Sequence, residues 1–375
     1  MAFRCRVRTS TLRGVEALPV EVEVDIGPGL PGFAIVGLPD LAVQEARDRV
    51  RSAIRSSGFE FPNGRVLVNL APAPLRKHGT GFDLPIALGI LAATSQVPAS
   101  AIAGSTAVGE LSLDGGLRPV SGMLAHALTA LAEDLVLAGP GTARLAAALP
   151  GLRWRAIERL RDALTPAQAA PAAPPSQAIP PNVADLAEVA GQELAKRTLL
   201  IAAAGGHNLL MVGPPGAGKT MLARRLPGIL PELSAEERIE TALVHSVAGL
   251  DDQAALGGIR PFRAPHHAAS IAGLVGGGSP PKPGEVSLAH HGVLFLDELP
   301  EFGPAALQAL RQPLEDGWVA LVRADGRIRF PASFGLVAAA NPCPCGFFGD
   351  QGRACSCTPA RHWGRAGYAR PAQGR

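Results

Sequence analysis

The sequence predicts an α/β protein in two parts, an α+β domain followed by a domain built on a parallel sheet wrapped by helices. Three observations carry that prediction. Val20, Val22, Val24 and Ile26 alternate with polar residues, the period-two pattern of a half-buried strand. Residues 166–181 are proline- and alanine-rich without charge and read as a semi-extended linker. After it come three apolar runs, at 208–212, 293–296 and 334–340, spaced by helical patterns as in strands joined through crossover helices. At 375 residues and 47% hydrophobic content, the chain can bury one large or two ordinary cores, and its length favours two domains.

The first domain is expected over residues 1–165. After the alternating strand it shows a helical pattern at Leu41–Ser57, a strand at Val66–Asn69, and helices at Leu84–Ala93 and Met123–Leu131. The second domain opens on a helix predicted over Asp185–Ala204, with Gly191-Gln192-Glu193 near its start, and runs into a strand predicted to be buried at Asn208–Val212. An insertion precedes the last strand. There Trp318–Val322 and Arg327–Phe330 flank Ala324-Asp325-Gly326, and Asp-Gly between alternating segments signals a β-hairpin. Arg323, Arg327 and Arg329 cluster at its tip, either as a contact for a nucleic-acid backbone or as charges that keep an edge from aggregating.

Directly after the strand at 208–212 stands Gly213-Pro214-Pro215-Gly216-Ala217-Gly218-Lys219-Thr220, a complete G-x-x-x-x-G-K-[ST] loop. Its glycines let backbone amides curl around a polyphosphate, Lys219 brings a point charge to the β/γ oxygens, and Thr220 offers a hydroxyl to Mg²⁺. The binding segment is read as Gly213 through Met221. A Gly/Pro-rich turn is the bland alternative in a chain with 44 Gly and 35 Pro, but strand, loop and Lys-Thr together argue for ATP or a related triphosphate.

The apolar run 293–296 ends in Asp297-Glu298. Such a pair places one carboxylate near the metal and the next beside the γ-phosphate as a water-polarising base. Asn341 closes the run 334–340, positioned to hold the attacking water or, more plainly, to cap a turn before Pro342. Lys219, Glu298 and Asn341 are thus the candidate catalytic residues, and Thr220 and Asp297 the candidate Mg²⁺ ligands.

A net charge of +3 does not mark a nucleic-acid binder by itself. No long apolar run marks a membrane span, and the start of the chain lacks the apolar core of a signal peptide, so a cytoplasmic protein is expected. Cys343, Cys345, Cys355 and Cys357 crowd together while Cys5 stands apart. Two Cys-x-Cys pairs can offer four thiolates to Zn²⁺, although zinc pairs usually carry two intervening residues; reduced thiols or disulfides are the alternatives. His266-His267 and His290-His291 are adjacent pairs whose rings are expected to diverge, which makes polar packing near the nucleotide and subunit interface a better reading than metal ligation.

Gly213–Thr220, Arg263-Ala-Pro-His-His267, the run from Pro283 to His291, Leu294–Pro300 and Asn341–Gly346 together resemble the magnesium-chelatase-type AAA+ ATPases. Val68–Pro72 and Gly79–Ala87 narrow the resemblance to the ComM or YifB-type branch, over about residues 1–358. It implies an AAA+ core over 182–358 and an N-terminal domain similar to the Lon protease domain, visible in Gly109–Val120. The Lon serine position falls near Gly81 and its lysine position near Leu124, so the domain is expected to be non-proteolytic. The resemblance further implies a homo-oligomeric, hexameric ring that hydrolyses ATP to move DNA, with no membrane partner. The alternatives are the motor subunit of a metal chelatase or a truncated remnant that binds ATP without efficient turnover. Residues 359–375 do not match the helical lid and arginine-finger region of that family, and are expected to form a disordered tail in a C-terminally truncated chain.

Overall fold

The computed structural model describes residues 3–130, 135–139, 145, 148–149, 151–164, 184–323, 326–349 and 352–358. The predicted linker at 166–181 and the tail at 359–375 lie outside the described residues, as does Leu131. The chain divides into two compact units, one formed mainly by residues up to Ala178 and the other mainly by residues from Ile179 onward.

The first unit is organised by a seven-stranded mixed sheet. In chain order its strands are β1 (Phe3–Arg13), β2 (Glu16–Gly27), β3 (Gly32–Val36), β4 (Arg65–Ala71), β5 (Ser105–Val108), β8 (Leu135–Ala138) and β9 (Trp154–Ala156). The short strands β6 (Glu110–Leu111) and β7 (Leu117–Arg118) pair separately. The spatial order is β3-β4-β2-β1-β5-β8-β9, with β1, β2 and β4 antiparallel in succession and the remaining pairs parallel. Valines 20, 22 and 24 are buried, as their alternation predicts. Sequence reading missed β1, the centre of the sheet. Its alternation was written in charge instead of apolarity, with Arg4, Arg6 and Arg8 on one face and Cys5, Val7 and Thr9 on the other.

Helices α1 (Leu41–Ser56) and α2 (Asp83–Ala93) complete this core. Asp40 caps α1 by accepting the Val43 amide at 2.9 Å, and Val43, Ala46, Val50, Ala53 and Ile54 form its buried stripe. Helix α2 is apolar almost all round and correspondingly buried. Gly89 lets it approach the sheet, because a Cβ there would sit 2.6 Å from Val24 Cγ2. A Cβ at Gly81 would meet Val108 Cγ1 at 3.2 Å, and Leu124, on α3 (Met123–Ala130), is fully buried, so neither position offers a nucleophile or a base.

The second unit is built on a four-stranded parallel sheet of β10 (Leu209–Val212), β11 (Phe262–Arg263), β14 (Val293–Leu296) and β17 (Gly335–Ala340), in the order β10-β17-β14-β11. β14 is entirely buried. β10 corrects an expectation: it is an edge strand of this sheet, with Leu210 and Val212 44% and 46% exposed, not a buried one. The opening helix is also shorter than predicted. Gly191 and Gln192 both adopt left-handed conformations (φ 65° and 57°), so α4 begins only at Glu193 and runs to Gly205, while Asp185 caps a separate 3₁₀ turn at Leu186–Glu188.

β15 (Trp318–Arg323) and β16 (Gly326–Pro331) pair into a two-stranded sheet at the predicted hairpin, whose turn at 324–325 lies outside the described residues. The Arg329 guanidinium stacks 4.5 Å from the Trp318 ring centroid. Among the described residues no helix is long and apolar enough to cross a membrane.

Candidate nucleotide site at the strand ends

Parallel pairing brings three strand ends into one layer. Val212 pairs with Ala340, and Leu296 with Ala338, so the loops that follow β10, β14 and β17 all leave the sheet at its carboxyl edge. The Gly213 amide donates to the Ala340 carbonyl at 3.2 Å, which anchors the start of the phosphate loop to the neighbouring strand. Gly216 and Gly218 take positive φ (80° and 77°), and the short helix α5 (Lys219–Ala223) begins directly after them. Around this edge lies a cavity of about 390 Å³ lined by residues 215–221 together with Asp297, Glu298, Ala340 and Asn341.

Lys219 Nζ donates to the Gly213 carbonyl (2.7 Å), the Pro214 carbonyl (3.1 Å) and Asn341 Oδ1 (3.1 Å). Those three acceptors use all three of its protons. Burial lowers the lysine's pKa, and the charges of Asp297 and Glu298 oppose that shift. Thr220 Oγ1 donates to Asp297 Oδ2 at 2.7 Å, and the Glu298 amide donates to Asp297 Oδ1 at 3.0 Å. A hydroxyl beside a carboxylate at the mouth of the 213–220 loop is a donor set that could hold Mg²⁺ with most of its waters kept.

Glu298 holds a left-handed backbone conformation, φ 52°, costly for a residue with a Cβ. The turn separates the two acids: Asp297 stays with Thr220, while the Glu298 carboxylate faces His267, whose Nδ1 is 3.9 Å away. Sequence reading paired Asp297 with Glu298 and gave them different tasks. The structure gives them different neighbours.

The histidine pairs depart from expectation. Their rings do not diverge: centroids lie 4.1 Å apart for His266 and His267 and 3.8 Å apart for His290 and His291. The second pair turns together because His291 is left-handed (φ 56°). Both Nε2 atoms then face Glu240 Oε2, at 3.4 Å and 2.7 Å. Metal binding is still disfavoured by the tautomer of His290. The Ser333 amide donates to its Nδ1, so the single proton of the neutral ring sits on Nε2, facing the carboxylate. Burial, joined by the charge of His291, pushes the His290 pKa down to about 4 and keeps that ring neutral.

The four clustered cysteines converge. Cys343 Sγ lies 3.4 Å from Cys345 Sγ and 3.6 Å from Cys355 Sγ, and the latter two are 3.5 Å apart. The Cys345 amide donates to Cys357 Sγ at 3.4 Å, and all four sulfurs lie within 4.8 Å of one another.

Two family descriptions match the chain, "Magnesium chelatase, subunit ChlI" over residues 185–367 and "Subunit ChlI of Mg-chelatase" over residues 22–138. The YifB proteins of Salmonella typhimurium LT2 and Escherichia coli K12 are 48% and 47% identical to it, each over 94% of this chain and 70% of their own length. Competence protein ComM of Haemophilus influenzae is 48% identical over 89% of this chain and 68% of its own length. The chain belongs to the ChlI-like, ComM/YifB family of magnesium-chelatase-type proteins.

One neighbour of the site in this ComM/YifB-family chain carries no signal of that role in the sequence. Gln192 Nε2 donates to the Ala217 carbonyl at 3.0 Å, bracing the back of the phosphate loop from the left-handed residue that precedes α4. The Gly191-Gln192-Glu193 triplet was visible, but only as a helix start. His267 is expected to pack near the nucleotide and lies there, but its specific partner, Glu298, depends on a contact between residues far apart in the chain. Nearby, Arg263 makes a two-pronged ion pair with Glu285 at 2.7 and 2.8 Å, which fixes the strand from which His266 and His267 follow.

Proposed function

We propose that this chain is a Mg²⁺-dependent ATP hydrolase that works as a DNA-remodelling motor, one subunit of a homo-oligomeric ring. The single observation that supports this most is the 2.7 Å contact between Thr220 Oγ1 and Asp297 Oδ2, which joins the phosphate loop to the acidic strand end. In this reading the amides of residues 213–218 and Lys219 hold the triphosphate, while Lys219 exchanges its present acceptors for β/γ oxygens. Thr220 and Asp297 hold Mg²⁺, whose chemistry is to neutralise charge on the phosphates. Glu298 takes a proton from the attacking water, and Asn341, already in contact with Lys219, orients it.

The acid–base task suits Glu298 because its carboxylate borders the cavity beside His267, while the Asp297 carboxylate is engaged by Thr220. DNA as the cargo is supported by kinship with a competence protein and by the arginines of the β15–β16 hairpin. The N-terminal domain is read as a non-proteolytic, Lon-like assembly or DNA-handling module, and the protein as cytosolic. The test is ATP turnover by the purified chain, with and without branched DNA at low salt. Turnover that rises with DNA and disappears in Glu298→Gln supports the proposal; turnover indifferent to both rejects it.

A second reading is favoured by the matched family's own description, which concerns magnesium chelatase. As a chelatase motor subunit, the chain would retain a large chelatase partner in pulldown and show no response to DNA.

A further inference from the structure

The cysteine cluster and the phosphate loop are mechanically one object. Residues 341–349 and 352–358 contain no helix or strand, and their large apolar side chains are few: Phe347 and the half-exposed Phe348. Such a segment cannot build a core of its own and needs a cross-link to hold a shape. Three sulfurs inside it, those of Cys343, Cys345 and Cys355, stand 3.4 to 3.6 Å apart, and the fourth, of Cys357, lies within 4.8 Å of each. A disulfide needs about 2.05 Å. Four thiolates at about 2.3 Å from a tetrahedral ion would stand about 3.8 Å apart. The Cys345 amide donates to Cys357 Sγ and the Cys357 amide to Cys355 Sγ, both at 3.4 Å, the outer hydrogen bonds that orient thiolate ligands.

The same segment and Ala340, the strand residue before it, touch the phosphate loop at three points. The Ala340 carbonyl accepts the Gly213 amide, Asn341 Oδ1 accepts from Lys219, and the Cys343–Gly346 turn lies on Pro215. The last contact is tight: a Cβ on Gly346 would sit 2.6 Å from Pro215 Cδ, and φ at Gly346 is 83°. Whatever fixes the cysteines fixes that turn, and the turn braces the loop.

We propose that Cys343, Cys345, Cys355 and Cys357 hold one Zn²⁺, and that this ion sets the nucleotide affinity of the adjacent cavity by bracing Gly346 against Pro215. The affinity claim rests on the cavity being the ATP site; the metal claim does not. A soft, four-sulfur, tetrahedral donor set selects zinc over magnesium or calcium.

The experiment uses the full chain purified without chelator, its metal measured by mass spectrometry, and a fluorescent ATP analogue titrated into it. Three variants share the assay: Cys355→Ser with Cys357→Ser, Gly346→Val, and Lys219→Ala. The wild type carries about one zinc per chain, and cobalt exchanged into the site gives thiolate charge-transfer bands. The double serine variant loses the metal and binds the analogue about tenfold more weakly or worse, as does Gly346→Val with its zinc retained. Lys219→Ala keeps its zinc and loses the analogue, which checks the nucleotide reading separately. Absence of zinc with the sulfurs recovered as disulfides or free thiols overturns the metal site. Zinc present, with unchanged affinity in both the serine and Gly346→Val variants, overturns the coupling.

Discussion

The two sheets of this protein treat polar residues in opposite ways. Around the mixed sheet of the first unit, several polar groups are buried against matched partners. Asp83 is 0% exposed and takes two bonds from Arg49, at 2.7 and 2.9 Å, and a third from the Leu111 amide. Ser10 Oγ lies 2.7 Å from His126 Nδ1, and Lys77 is buried against the Pro72 carbonyl. In the parallel sheet of the second unit, Lys219, Thr220, Asp297, Glu298 and Asn341 stand at the strand ends and border a cavity. Buried charge with a matched partner holds architecture, whereas charge collected at an open edge is available to a ligand.

That contrast breaks most visibly at Glu298. Glu298→Gln should cut ATP turnover about a thousandfold, roughly 4 kcal/mol of barrier, while leaving nucleotide affinity and melting temperature near wild type. Single-turnover and binding assays read the two effects apart. An equal fall in binding would erase the distinct role given to this acid.

At Asp83 the expected effects reverse. Asp83→Ala strands Arg49 and should destabilise the first unit by about 3 kcal/mol, the lower end for a broken buried pair because Arg49 retains some exposure. Hydrogen exchange on α1 and α2 measures that loss. Nucleotide affinity, measured well below the melting temperature, should not move.

Acid sharpens the same comparison. Burial lowers the His126 pKa from 6.5 to about 4, so the unfolded chain binds the proton first. The stabilisation is complete above pH 6.5 and is lost as pH falls from 6.5 towards 4, at a cost of about 3 kcal/mol. His290, lowered to about 4 mainly by burial, contributes with the same sign in the second unit. In His126→Leu the acid slope read from β1 amides should flatten while the slope read from β14 persists. The smallest effect belongs to the exposed edge: Leu210→Thr on β10 should shift stability by less than about 0.5 kcal/mol.

Much of this was legible in sequence wherever local rules decide the outcome. The valine alternation marked β2, the helical pattern marked α1 to within a residue, and the loop at 213–220 stood after a strand as the motif requires. Other features depend on long-range packing or on single backbone angles. β1 hid its alternation in arginines, and the burial of β10 is fixed by its place at the sheet edge, which a four-residue apolar run does not reveal. The break before α4, the stacking of His290 on His291 and the turn that separates Glu298 from Asp297 all follow from positive φ at non-glycine residues, for which sequence patterns carry little signal.

The central claim is that the loop at 213–220 and the acid at the end of β14 form one Mg²⁺-nucleotide site. Titration of ATP by calorimetry, with Mg²⁺ and then with chelator, into the wild type and into Thr220→Val and Asp297→Asn, tests it directly. The account predicts binding that Mg²⁺ strengthens in the wild type, with that strengthening lost in both variants. Equal affinity with and without Mg²⁺ in all three proteins, or no ATP binding by the wild type, would contradict it.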